Sequence, residues 1–571
     1  MTRRIVLAAL LIGIVLYLTP ILFPTPKTPP RASTTPAGAT AAGASATGGS
    51  GATAAAAVPN GTGQTIPPAQ PAGASVAAAP VKPETTTISG PRAEMRFSSQ
   101  GAALIGAEMK DYRSLQRNGP AAVDLARANE PLLAFAIATP TDTIPLATTA
   151  FTTEKLGPSA VAYTAATPAG QVNVRYAIVP DSYVVRVDGS LIGAPAGSSL
   201  LVHLPEGLRS AEADTLDDMR HLAIAYKRKT EDAKGVAFTK VDPGKQELIP
   251  GPITWAVTKN KYFLVAVAAR DTAHAFGPLT ITGLPRASKA VTHMAGALQV
   301  PLANGGFAFD VYAGPQEWRR LRALGRDLDT ANPYGGFLQG IVQPFATLVM
   351  RALLWLHETF RMSYGWVLVL FGVMIRLLTW PLNQSAMRTS LKMQRIQPEL
   401  QELQKKYRGD PQRLNAEMMR LYKEHDMSPF SSLAGCMPML IPMPILFALF
   451  FVFQNTIEFR GVPFLWLPDI SLRDPYYILP ILMGISMFLL SWIGMRGMPP
   501  NPQAKMMAYV MPIVMTVIFF RFPSGLNLYY TVQNLVTIPQ QWMLSKERAK
   551  ANLRPVVSTP APARVRRGSQ A

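Results

Sequence analysis

Cysteine is nearly absent: Cys436 stands alone among 571 residues. That excludes an intramolecular disulfide and any cysteine-based zinc site. Charge is also scarce, with 16% Asp, Glu, Lys and Arg against 48% hydrophobic residues. No Asp or Glu falls inside the long apolar runs, where proton- or sodium-coupled carriers usually keep carboxylates. No intact HExxH, GxGxxG or Walker A pattern occurs. His357-Glu358 opens like the first, but Arg361 takes the place of its second histidine. His203, His221, His274 and His293 are scattered and read as surface or packed residues. No catalytic residue, metal site or cofactor is expected.

What remains suits a membrane protein carrying a soluble domain, with two to four structural units. The net charge is +20, which admits nucleic acid, ribosome or anionic lipid as partners. Much of that charge flanks apolar segments, as in cytoplasmic loops.

Arg3-Arg4 precede an apolar run from Ile5 to Phe23 with no small-residue cleavage site directly after it. Residues 1–23 are therefore expected to be an uncleaved transmembrane signal-anchor. Residues 24–91 are nearly all Ala, Pro, Gly, Thr and Ser, a disordered linker. Residues 92–331 read as a β-sandwich outside the membrane. Val172, Val174, Tyr176 and Ile178 alternate with polar neighbours, and Pro180-Asp181-Ser182 turns into Tyr183–Val187. Tyr262–Ala268, Leu279–Leu284 and Phe307–Tyr312 follow as strands. An amphipathic helix over Pro315–Asp329, with Trp318, Leu321, Leu324 and Leu328 on one side, closes the domain. Residues 332–362 fit a helix lying in the membrane interface.

Further spans are expected at Trp366–Leu382, Leu433–Phe453, Tyr476–Met495, Met506–Phe520 and Leu526–Trp542, within a core of residues 363–545. The fourth of these is short, so the bilayer is expected to thin beside it. Asn383–Phe430 carries nine Lys and Arg, and the tail after Trp542, including residues 546–571, carries seven. Both belong in the cytoplasm with the Arg496–Lys505 loop, whereas Thr456–Pro475 belongs outside. Six spans result, with both termini inside.

Residues 385–428 form a cytoplasmic helical hairpin. Met393, Ile396, Leu400, Leu403 and Tyr407 repeat at helical spacing, as do Leu414, Met418, Leu421 and His425. Gly409 and Asp410-Pro411 supply the turn. Two readings stay open: a rigid connector, or a docking arm whose contacts are Lys405, Lys406 and Arg408.

Arg376 sits inside an apolar span, where a charge costs about 2.5–3.5 kcal/mol on insertion scales. Either it snorkels to the cytoplasmic headgroups, or its helix lines a wet cavity. Asn527, Tyr530, Asn534, Thr537 and Gln541 form a polar stripe along the last span, which cannot face lipid along its whole length without loss. Interhelical packing explains such a stripe. So does a hydrated groove that, with Arg376, receives polar stretches of another polypeptide.

Several strings between Tyr334 and Trp542 carry a resemblance. They include Ile375-Arg376, Trp380-Pro381-Leu382, Glu417-Met418-Met419, Pro438–Pro444, Asp474–Gly484, Phe522–Leu526 with Tyr529-Tyr530, and Asn534–Ile538. In these the chain resembles the YidC membrane protein insertase family of Gram-negative bacteria. The resemblance implies a five-helix core enclosing a hydrophilic groove that opens to cytoplasm and lipid, with Arg376 as the groove arginine. Tyr530 matches a core tyrosine of the family, but the threonine one turn before the arginine is Gly372 here. The outer domain would be an all-β supersandwich similar to sugar mutarotases. Implied partners are nascent membrane proteins, the Sec translocon and its accessory subunits, the ribosome and targeting receptor, and membrane lipids, with no direct DNA binding. The implied location is the bacterial inner membrane. A transporter with an outer binding domain and a membrane-anchored carbohydrate-active enzyme are the competing readings.

Overall fold

The computed structural model describes residues 83–271, 274–285, 293–332, 339–424, 443–496 and 502–552. The expected N-terminal anchor, most of the linker, Cys436, His425 and the start of the span at Leu433 lie outside the described residues.

Period-two alternation builds the first half of the chain. Val172, Val174, Tyr176 and Ile178 are all buried along Gly170–Ile178. Asp181 turns the chain at φ +52°, and the following strand, Val184–Ile192, pairs Val185 with Ile178. Nine-, six- and four-stranded antiparallel sheets result, sharing one apolar core. Ile253–Lys259 and Phe263–Ala269 are buried at every position. Their near-continuous apolar runs mark strands covered on both faces.

Two boundaries differ from expectation. The β-domain begins at Thr85, inside the segment assigned to the linker through Pro91. Thr85–Ser89 pairs along Ala93–Ser98 and buries Ile88, because a β-branched Thr-Thr-Thr-Ile run favours a pleated strand over a solvated tether. The helix expected over Pro315–Asp329 forms only at Trp318–Ala323, with a 3-10 turn at Leu328–Thr330. Between them Gly325, Arg326 and Asp327 take φ of +72°, +59° and +55°, and no α-helix continues through left-handed backbone. Leu321 and Leu328 enter the β-domain core, while Trp318 packs on the core of the helical half.

Helices dominate the rest. In chain order they are α1 (Thr215–Arg220), α2 (Trp318–Ala323), α3 (Gln339–Phe360), α4 (Tyr364–Lys406), α5 (Pro411–Glu424), α6 (Met443–Asn455), α7 (Ile478–Met495), α8 (Pro502–Phe519) and α9 (Ser524–Asn552). Helix α3 packs Val349, Leu353 and Leu356 inward and exposes Leu348 and Trp355, an amphipathic arrangement. Helix α4 runs unbroken for 43 residues, out of the expected span and through the first arm of the hairpin. Pro398 does not end it. Asp410 caps α5 by accepting from the Arg413 amide at 3.0 Å. The arms meet through Ile396 and Tyr422, with Leu400 and Met418 alongside.

Among the described residues, Tyr364–Pro381 and Ile478–Met495 are long and apolar enough to cross a membrane, and Ala508–Phe519 is a shorter apolar helix. Helix α9 does not qualify, because its polar residues lower the mean hydropathy of the run.

The β-domain meets the helical half through a charged seam. Arg460, in the loop after α6, places Nε 2.7 Å from Glu212 Oε1, with both side chains 4% exposed. The same guanidinium donates to the Ala211 carbonyl at 3.3 Å and lies over the Phe263 ring. Nearby, Tyr112 donates to Glu317 and Arg319 pairs with Glu358. Glu458 buries Oε2 without a protein partner. Burial pushes its carboxyl up to about 7, and the neighbouring Glu317 adds to the rise.

Candidate functional site: a polar junction of three helices

Gly372 and Arg376 lie one turn apart on α4, facing α9. The glycine permits close approach, since a Cβ there would stand 3.1 Å from Val532 Cγ1. Gln533 of α9 uses that gap to donate to the Gly372 carbonyl at 2.8 Å and to the Tyr529 hydroxyl at 3.1 Å. Phe371 packs beside Tyr529. One turn further along α4, Arg376 donates through Nη2 to Gln540 Oε1. Arg376 forms no ion pair among the described residues, and its Nε is buried with no protein acceptor.

Helix α9 also faces α7. Asn534 donates to Ser486 Oγ at 3.0 Å, and Gly494 leaves room for Gln541, whose Nε2 would lie 2.6 Å from an added Cβ. Asn527 is fully buried and donates to the Phe519 carbonyl at 3.1 Å. Tyr530 packs on Phe519 and Tyr529. The Thr537 hydroxyl donates back to the Gln533 carbonyl of its own helix.

The polar stripe read from sequence therefore divides. Asn527, Asn534 and Gln541 recur every seven residues, about 20° from exact overlap; Asn534 and Gln541 of this set meet α7. The residues that meet Arg376 and its glycine are Gln540, Gln533 and Tyr529, one helical step to the side. Their spacing of four and then seven was visible in the sequence, but the brighter stripe beside it hid them. Gly372 meets Tyr529 and Val532 rather than Tyr530.

Several polar atoms at this junction stay unmet. Arg376 Nε, Gln540 Nε2, Gln541 Oε1 and Asn527 Oδ1 are buried with no protein partner. An unmet buried polar group costs about 1–3 kcal/mol. Water, or polar groups of another polypeptide, would relieve that cost. With an unpaired guanidinium in their midst, these atoms can hold a neutral or acidic polar segment by hydrogen bonds and charge. They offer no nucleophile beside a base, and no metal-ligand cluster occurs among the described residues. His221, His274 and His293 each pair locally, with the Asp217 carbonyl, Asp271 and Glu130, and do not converge.

At the hairpin tip Lys405, Lys406 and Arg408 are exposed. The arm is not uniformly basic: Glu399, Glu402, Glu417 and Glu424 line a groove between α4 and α5, with Lys406 and Arg420.

The family described as 60Kd inner membrane protein matches residues 355–551. The YidC periplasmic domain family matches residues 85–348. A membrane protein insertase YidC from Anaeromyxobacter dehalogenans (strain 2CP-C) is 33% identical over 577 residues, 96% of this chain and 98% of that protein. Another, from Anaeromyxobacter sp. (strain Fw109-5), is 35% identical over 325 residues, 56% of this chain and 55% of that one. A solved structure described as active YidC insertase with its first transmembrane domain resolved has 18% identity and a TM-score of 0.33, covering 82% of this chain and 95% of that one.

Proposed function

The chain belongs to the YidC family of membrane protein insertases, and on that premise we propose that it inserts nascent membrane proteins through a hydrated groove built around Arg376. The β-domain is its periplasmic part. The six-span topology with both termini in the cytoplasm is part of this proposal, as are the partners: the Sec translocon with its accessory subunits, and the ribosome and targeting receptor at Lys405, Lys406 and Arg408.

A short hydrophobic client enters from the cytoplasm. Its polar portion rests near Arg376, with the amides of α9 as further hydrogen-bonding groups: Gln540 beside the guanidinium, then Asn534 and Gln541 on the α7 face and Asn527 against the end of α8. Tyr530 and Thr537 belong to the same polar helix. A polar segment that crosses bare hydrocarbon loses its hydrogen bonds, at several kcal/mol per unsatisfied group. The groove replaces part of them midway. Burial of the client's apolar helix in lipid supplies the drive.

One observation carries the proposal: Arg376 is held at an apolar helix interface by an amide and no carboxylate, with its Nε unmet. A snorkelling arginine would instead point its head to solvent. The test is reconstituted insertion of a small client with an acidic tail, comparing wild type, Arg376→Lys and Arg376→Ala. Lysine is expected to retain part of the activity and alanine little. Equal insertion by all three would remove Arg376 from the mechanism.

A further inference from the structure

Gln533 is not among the groups assigned above to the client, yet it touches the helix that carries Arg376. Its side-chain amide nitrogen donates to the Gly372 carbonyl of α4 at 2.8 Å and to the Tyr529 hydroxyl at 3.1 Å. A primary amide has two N–H donors, so both are committed. Gln540, by contrast, keeps a buried Nε2 unmet, and Gln541 a buried Oε1. Those two can receive a visiting segment, whereas Gln533 has no donor left to offer one.

The acceptor on α4 is informative. In an α-helix the carbonyl of one residue takes the amide hydrogen of the residue four further on. The Gly372 carbonyl therefore serves the Arg376 amide, and Gln533 occupies its second lone pair. The turn that Gln533 holds is the turn on which Arg376 stands. A bond from a neighbouring helix to a helical carbonyl needs the two backbones close together. Gly372 permits this, since a Cβ there would stand 3.1 Å from Val532 Cγ1 and 3.6 Å from Tyr529 Cδ2. Phe371 and Tyr529, both buried, pack with ring centroids 6.1 Å apart. Tyr529 is thus fixed by its ring against α4 and by its hydroxyl against Gln533. Helices α4 and α9 run in the same direction here, because Gly372 meets Gln533 and Arg376 meets Gln540. These contacts are about 6 Å apart along α4 and about 10.5 Å apart along α9. The arginine side chain spans the difference by extending along α9, so the anchoring of its own turn decides where the guanidinium arrives.

We propose that Gln533 is a positioning residue for insertion, an inference that rests on the groove reading above. It pins the Gly372 turn of α4 to α9, so that Arg376 presents its guanidinium along α9 instead of swinging toward the lipid headgroups. It acts through Arg376 and touches no client. Interhelical glue is the rival role for such an amide, and glue would serve every client alike. Positioning of a cation matters only to a client that brings an anion.

The full chain, reconstituted in liposomes, is given a small client with an acidic tail and the same client with its acidic residues changed to amides. Gln533→Leu removes both donors while keeping an unbranched stem of similar reach. Insertion of the acidic client is expected to fall about fivefold, the worth of one neutral hydrogen bond, with little change for the amide client. Gly372→Ala, which presses a methyl group onto Val532 from the other helix, should show the same selectivity. In an Arg376→Ala background, Gln533→Leu should cost the acidic client nothing further. Equal losses for the two clients would overturn the positioning role and leave Gln533 as packing. An unaffected acidic client, or a further loss in the Arg376→Ala background, would overturn it too. Failure of the groove reading looks different, because Arg376→Ala alone then leaves the acidic client untouched, and positioning falls with it.

Discussion

Arg376 on α4 and Gln540 on α9 are joined by one hydrogen bond, while the Gln540 amide nitrogen beside it stays buried and unmet. The guanidinium is thus held in place without being neutralised. Gln540→Glu is expected to convert the contact into an ion pair. Insertion of clients with acidic tails should then fall several-fold, while the melting temperature holds or rises. Gln540→Leu leaves the half-buried cation without its acceptor and should cost about 1–3 kcal/mol of stability. Insertion assays paired with thermal unfolding separate the two effects.

The Arg460–Glu212 pair, almost wholly buried at the seam, gives a second expectation. Arg460→Met alone strands a buried carboxylate and should destabilise the seam by about 3–5 kcal/mol. Arg460→Met with Glu212→Leu should recover most of the loss. Limited proteolysis around the seam, with unfolding curves for the four members of the cycle, measures the coupling.

Helices α7 and α8 touch where Gly484 faces Thr516, and an added Cβ would stand 2.0 Å from Thr516 Oγ1. Gly484→Ala is expected to force the helices apart at a cost of about 1–3 kcal/mol. Gly484→Ala with Thr516→Ala should restore much of it. Recovery absent from the melting curves would mean that the glycine serves something other than packing.

Glu458 predicts a pH dependence. Its folded carboxyl is raised to about 7, above an ordinary glutamate, so folding favours its protonated form. That contribution is complete below about pH 4.5 and is lost as pH rises through about 7. Between about pH 5 and 8, wild type should lose melting temperature relative to Glu458→Gln, which stays neutral throughout. Parallel slopes for the two proteins would contradict this.

Much of this architecture could be read from residues alone. Alternation located the strands at Gly170–Ile178 and Val184–Ile192, and the hairpin arms follow the spacing of Ile396, Leu400 and Met418. Reading failed where local and long-range preferences diverge. The Thr85–Ser89 strand hides in a proline-rich context and is fixed by its partner Ala93–Ser98. The leucines of Leu321–Leu328 keep helical spacing even though the backbone reverses hand between them. For the candidate site, sequence identified Arg376 and the polarity of α9. Which face of α9 meets it depends on Gly372, because a missing side chain on one helix decides how near the other can come. The seam at Arg460 was invisible, since its hydrogen-bond partners Ala211 and Glu212 lie more than two hundred positions upstream.

Helix α4 carries a last consequence. It extends from Tyr364 to Lys406 without interruption, so Arg376 and the cationic tip at Lys405 are mounted on a single rod about 45 Å apart. A load applied at the tip is borne by the same spar that holds the guanidinium, so under the proposed function docking at Lys405 and reception at Arg376 would be mechanically coupled.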